Sequence, residues 1–144
     1  MITQGDIEEL KKAATESRAR AYAPYSTYQV GAAIRTSTGQ IFSGCNVENS
    51  SFGATVCAER VAIQTAIAQT GPLQIVDVFV LTDATPPWPP CGMCRQVIAE
   101  FADPKLMIHT SNLAGIVHSV PFSKLFPNAF TPSHLTDRTK AGSP

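Results

Sequence analysis

The 144 residues carry eleven Lys and Arg against eleven Asp and Glu, a formal net charge of zero, and 44% of them are hydrophobic. A chain of this size is long enough for one domain with a real core, and it lacks the cationic excess of a surface that tracks nucleic-acid phosphates. No apolar run approaches a membrane span, and the stretch from Ile2 to Arg20 is dense in charge, unlike a signal peptide, so the expectation is a cytoplasmic protein with neither nucleic acid nor membrane as partner.

From Asp6 to Arg20 the apolar residues Ile7, Leu10, Ala13 and Ala14 recur at helical spacing, with Thr3 as the N-cap and Pro24 beyond the end. Tyr28 to Arg35 and Gln40 to Cys45 read as two antiparallel strands joined through Ser37-Thr38-Gly39. Thr55 is placed to cap a helix from about Val56 to Gln69, which Gly71-Pro72 stops. Ile75 to Leu81 is a nearly continuous apolar run, as expected of a central strand covered on both faces. A proline-rich loop, Asp83 to Pro90 with Trp88 inside it, leads to a helix from Cys91 to about Phe101. Lys105 to Thr110 and Ile116 to Val120 read as two further strands. The order predicts an α/β fold with a mixed sheet between helices, a catalytic domain over 1–133 and a polar, disordered tail over 134–144.

Cys57 and Glu59 fall in the first turn of one predicted helix, and Cys91 and Cys94 share a face of the first turn of the next. Four cysteines allow two disulfides, but a CxxC pair without an export signal favours metal. A catalytic zinc keeps three protein ligands and leaves a fourth position for water, whereas a structural zinc is closed by four. Cys57, Cys91 and Cys94 supply three, and Glu59, too near Cys57 in sequence to ligate comfortably, is free to move protons. Three metal-bound thiolates, a non-ligand Glu and a Pro-Cys-x-x-Cys second half are the signature of zinc deaminases.

Three thiolates leave a zinc centre net negative, which weakens its power to acidify water. Two helix N-termini, each equivalent to roughly half a positive charge, offset this, and Arg60 can add a full charge while hydrogen-bonding the sulfurs. The reaction expected is hydrolytic loss of the exocyclic amine of a cytosine ring, with Glu59 moving protons from water to N3 and to the leaving ammonia. That double duty requires a raised pKa, which a site closed from water provides.

The flanking residues narrow the class. Ala21-Tyr22-Ala23-Pro24-Tyr25-Ser26, Val30-Gly31-Ala32-Ala33, Gly44-Cys45-Asn46-Val47-Glu48-Asn49, Cys57-Ala58-Glu59-Arg60 and Pro90-Cys91-Gly92-Met93-Cys94-Arg95-Gln96-Val97 together closely resemble the short, tetrameric class of cytidine deaminase. The resemblance spans roughly Ala21 to Phe130. It implies a three-layer α/β/α sandwich around a five-stranded sheet, one Zn2+ per subunit, a homotetramer, and conversion of cytidine and deoxycytidine to the uridines in pyrimidine salvage. It further implies that Asn46 and Glu48 bind the sugar hydroxyl, that the Ala58 N–H donates to the pyrimidine carbonyl, and that the Pro89 carbonyl accepts from the amine. Tyr28 stands where the family usually has Phe against the base. Phe52 replaces a more usual Tyr, and Phe130 resembles the aromatic that closes a neighbouring subunit's pocket.

Four rivals remain on the sequence. A structural zinc module would recruit Cys45 as a fourth ligand and leave Glu59 idle; otherwise Cys45 packs as a small apolar residue. A thioredoxin-like protein would use Cys91 and Cys94 but ignore Cys57. A polynucleotide deaminase is disfavoured by the neutral charge, despite Trp88 before Pro89-Pro90-Cys91. An aminonucleoside-antibiotic deaminase of the blasticidin type shares the three-cysteine core and is the alternative substrate reading. His109, His118 and His134 have no motif around them and are assigned no role.

Overall fold

Helix α1 (Gln4–Arg18) begins at the cap that the sequence predicts. Thr3 Oγ1 accepts from the Asp6 N–H at 3.2 Å, and the Asp6 carboxylate accepts from the Thr3 N–H at 2.7 Å, so two otherwise orphaned amides are satisfied reciprocally. The computed structural model describes residues 2–136. After α1 come β1 (Gly31–Thr36), β2 (Ile41–Cys45), α2 (Ala58–Thr70), β3 (Ile75–Thr82), α3 (Gly92–Phe101), β4 (Ala102–Asn112), β5 (Val117–Pro121) and two short helices, α4 (Phe122–Leu125) and α5 (Ser133–Thr136).

The strands form one five-stranded sheet in the order β2-β1-β3-β4-β5. Only β3 and β4 pair in parallel, across the connection that carries α3, so the sheet is mixed. The central strand β3 is buried on both faces. Val78 and Val80 point to the core shared with Ile63 of α2 and Ile98 of α3, while Phe79 and Leu81 meet Leu10 and Ala14 of α1. That period-two alternation makes the three-layer sandwich.

Two glycines mark where backbone must approach backbone. A Cβ on Gly31 would lie 2.0 Å from the Ala14 carbonyl oxygen of α1, and one on Gly44 would lie 2.4 Å from Ala62 N and 2.6 Å from Ala58 O of α2. Gly44 therefore lets β2 sit directly against the first turns of α2, the segment that carries Cys57 and Glu59.

Several boundaries differ from the sequence reading for local reasons. Strand β1 starts at Gly31, not Tyr28, because the Asn46 side chain takes the strand's place as partner: its Oδ1 accepts from the Val30 N–H at 2.9 Å and its Nδ2 donates to the Tyr28 carbonyl at 2.8 Å. Helix α2 starts at Ala58 with Cys57, not Thr55, as N-cap, since the Thr55 hydroxyl instead accepts from the Asn49 N–H at 3.2 Å. A short 3-10 turn at Phe52–Ala54 precedes it. Strand β4 extends further at both ends than Lys105 to Thr110. Helix α5 (Ser133–Thr136) runs across the boundary expected at 133/134, and 137–144 of the expected tail lie outside the described residues.

His109 is fully buried, with Nδ1 2.7 Å from Ser119 Oγ and Nε2 3.3 Å from Asp77 Oδ1, and Asp77 in turn faces Arg35. This network ties β1, β3, β4 and β5 together on the α1 face of the sheet, and its partners satisfy the ring nitrogens.

Gly44→Ala is expected to destabilise the fold by about 1–3 kcal/mol, because the clash is with helix backbone that no rotamer change relieves. Urea unfolding measures this, and a midpoint equal to wild type would contradict the close-approach account.

Candidate active site

Cys57 and Cys91 occupy equivalent positions. Each is the N-cap of its helix, with φ/ψ of −70°/156° for Cys57 and −66°/169° for Cys91, and neither sulfur makes a capping hydrogen bond among the described residues. Ser, Thr or Asp in those places would turn back onto the helix amides. The thiols instead stay available, at the positive ends of two helix dipoles. Cys94, buried in the first turn of α3, completes the cluster. Its three sulfurs lie within 4.8 Å of one another, with Cys57 and Cys91 Sγ 4.0 Å apart. Tetrahedral coordination with Zn–S bonds of about 2.3 Å needs sulfurs roughly 3.8 Å apart. The cluster matches that spacing, and among the described residues it does not include Cys45.

The protonation chemistry of the thiols fits a cation as well. Cys57 is lowered to about 5, chiefly by the hydrogen bond from Cys94, against the opposing effect of burial and with help from Arg60. Cys94 is pushed up by that same bond, by burial and by the negative charge of Glu59. A second thiolate in this space would face the first unscreened, and a divalent ion held among the sulfurs would remove that repulsion. Arg60 braces the arrangement from behind: its Nη2 donates to Cys57 Sγ at 3.6 Å and to the Thr55 carbonyl at 3.2 Å. Its buried Nε has no hydrogen-bond partner among the described residues.

Glu59 lies on the next residue step of α2 and is 4% exposed. Desolvation pushes its carboxyl up to about 7, overriding the hydrogen bonds and the Arg60 charge that lower it. Glu59, Cys57 and Cys91 open into a cavity of about 270 Å³, close to the smaller ligand sites of about 300 Å³. Tyr28, Asn46, Glu48, Ala58 and Pro89 line the same cavity, so the fold converges residues from four separate stretches of sequence. Phe130 does not line it: its ring is 54% exposed and stacks on His134 at a centroid distance of 5.3 Å.

Asn46 and Glu48 do more than face the cavity. Glu48 Oε1 accepts from the Tyr25 and Ser26 N–H groups at 3.0 Å each, and its Oε2 accepts from the Ser26 hydroxyl. With Asn46 bound to the Tyr28 carbonyl and the Val30 N–H, the two side chains hold the whole segment from Tyr25 to Val30 against the site. Sequence spacing did not reveal this positioning work. It also passed over Trp88, Ser26, Thr55 and Thr82, which line the cavity. Trp88 stands beside the Cys91 motif, and its aromatic bulk in a polar loop was the available signal.

A buried acid beside three thiols, which would leave one position of a bound zinc open to water, is the equipment of a hydrolytic zinc deaminase. The chain belongs to the cytidine and deoxycytidylate deaminase family, whose zinc-binding-region model matches residues 4–110. A cytidine deaminase of Halalkalibacterium halodurans is 41% identical over 132 residues, covering 92% of this chain and 99% of that protein. The crystal structure of cytidine deaminase from Burkholderia pseudomallei superposes with a TM-score of 0.81 at 41% identity, covering 90% of this chain and all of that one. A blasticidin-S deaminase of Bacillus cereus is 31% identical over 141 residues, covering 90% of this chain and 95% of that protein. The chain is an enzyme, and zinc is its metal.

The Glu48 clamp carries a pH signature. Hydrogen bonds from the Ser26 hydroxyl and from the Ser26 and Tyr25 N–H groups hold its carboxyl below the usual value, against burial. A depressed folded-state pKa means that the unfolded chain takes up the proton first, so this contribution is present above the unfolded pKa and lost as pH falls through the folded one. Urea unfolding of wild type between pH 5 and pH 3 is expected to lose stability more steeply than Glu48→Gln does, and identical slopes would contradict the clamp.

Proposed function

We propose that this chain hydrolyses cytidine and deoxycytidine to uridine and deoxyuridine with release of ammonia, as a cytoplasmic homotetramer serving pyrimidine salvage. The observation that carries the reading is the buried Glu59 carboxyl opening, with Cys57 and Cys91, into one nucleoside-sized cavity. Zinc held by Cys57, Cys91 and Cys94 supplies the Lewis acidity that makes water a nucleophile near neutral pH. Glu59 holds and moves the protons: burial holds its carboxyl above the ordinary carboxylate range, which suits one group to accept from water and deliver to ring N3 and to the leaving amine.

The remaining groups bind and orient. The Ala58 N–H, one of the first-turn amides that a helix leaves without an internal acceptor, donates to the pyrimidine carbonyl. The Pro89 carbonyl accepts from the amine. Asn46 and Glu48, fixed by their backbone contacts, present their unused hydrogen-bonding capacity to the sugar hydroxyl, and the Tyr28 ring lies against the base. Arg60 lowers the negative charge on the sulfurs.

Assembly is supported by exposed aromatics, including Tyr25 in edge contact with Phe52 at 5.7 Å, and Phe130 at 54% exposure. In this reading Phe130 closes a neighbouring subunit's pocket. The blasticidin-type alternative has a relative of 31% identity, against 41% for the cytidine deaminase of Halalkalibacterium halodurans, and is the weaker reading.

Zinc-loaded protein is expected to shift the absorbance of cytidine to that of uridine, and Glu59→Gln to lower turnover by about 10⁴-fold or more while keeping its zinc. Retained turnover in that variant would contradict the role of Glu59. Cytidine 5′-monophosphate is expected to react far more slowly than cytidine, because Glu48 repels the added charge; equal rates would overturn the preference for free nucleosides.

A further inference from the structure

The geometry points to Trp88 as a specificity-determining residue that walls off the 5-position of the pyrimidine, so that the enzyme discriminates against 5-substituted cytosines. The inference rests on the cytidine reading above and concerns the same site. Once the carbonyl at C2 meets the Ala58 N–H and N3 meets Glu59, that edge of the ring faces the first turn of α2. The amine at C4 then points to Pro89. The sugar on N1 leaves toward the polar end, where Asn46 and Glu48 lie with Ser26. Only the C5–C6 edge is left, and it must turn away from α2 toward the side next to Pro89.

Trp88 occupies that side. Its ring lines the cavity and packs on Tyr28 with centroids 4.9 Å apart at 58°. The two rings are in contact, so no gap remains between them for a substituent. The backbone under each ring is held in place. Tyr28 is held on both sides, by Asn46 Nδ2 donating to its carbonyl at 2.8 Å and by its own N–H donating to Ser26 Oγ at 3.1 Å. Trp88 sits between buried Pro87 and buried Pro90 in a run of four prolines around it, whose fixed φ limits the backbone's response. Two rings in contact on held backbone leave no room for an added methyl, and one methyl-sized misfit is worth about 10- to 200-fold in discrimination.

Trp88 is also the only tryptophan in the chain, which gives a reading independent of turnover. In wild type, uridine is expected to change the emission of Trp88, and 5-methyluridine to need at least about 10-fold higher concentration for the same change. In parallel, kcat/KM is measured for cytidine and 5-methylcytidine in wild type, Trp88→Ala and Trp88→Phe. The 5-methylcytidine to cytidine ratio is expected to rise by at least about 10-fold in Trp88→Ala and by less in Trp88→Phe. A loss shared equally by both substrates, leaving the ratio unchanged, would overturn the inference and show Trp88 to be packing alone. Emission unmoved by saturating uridine, in protein that turns over cytidine, would overturn it too. Wild type that turns over neither nucleoside would instead overturn the proposed function, and this inference with it.

Discussion

Three thiols within 4.8 Å of one another, at the N-terminal ends of two helices, cannot all be anionic unless a cation sits among them. Cys57 is lowered while Cys94 is pushed up, each chiefly by the hydrogen bond between them, which is the signature of sulfurs crowded against one another. The helix ends and Arg60 make the first negative charge inexpensive, and only a metal makes the rest tolerable. The same crowding acts on Glu59, whose burial already raises it. Negative charge crowded at two helix ends therefore gives the affinity for a cation, and burial beside it gives the proton-carrying acid.

The fold exists in this form to hold that concentration in place. Helix α2 is pinned to β2 at Gly44, where no side chain intervenes, and its apolar face is locked onto the central strand through Ile63, Val78 and Val80. Burying side chains of this size stabilises by about 1.5–3 kcal/mol each, which anchors α2 just past the turn that carries Glu59. Helix α3 is brought alongside by the one parallel connection in the sheet, β3 to β4. The remaining wall is a loop, and Asn46 and Glu48 convert it into a fixed surface by hydrogen-bonding its backbone.

How far this could be read from sequence depends on whether the physics was local. The thiols and Glu59 were legible because their spacing falls within single helical turns, where i and i+3 fix a face. The strand β3 was legible from its continuous apolar run. Thr55 misled because Thr is a good cap anywhere, and only the fold brings the Asn49 N–H to compete for its hydroxyl. The start of β1 was invisible for a similar reason: Asn46, sixteen residues from Val30, replaces a strand partner. The contact between Tyr28 and Trp88 joins segments with no periodic relation, so no spacing rule could have announced it. Short elements such as Phe52–Ala54 and α4 are less than two turns long and leave no periodicity to find.

X-ray absorption at the zinc edge of purified protein tests the central claim most directly, since it counts what surrounds the metal. One zinc per chain with three sulfur neighbours at about 2.3 Å and one light-atom neighbour at about 2.0 Å is the expected result. Four sulfur neighbours, or protein that holds no stoichiometric metal, would contradict it.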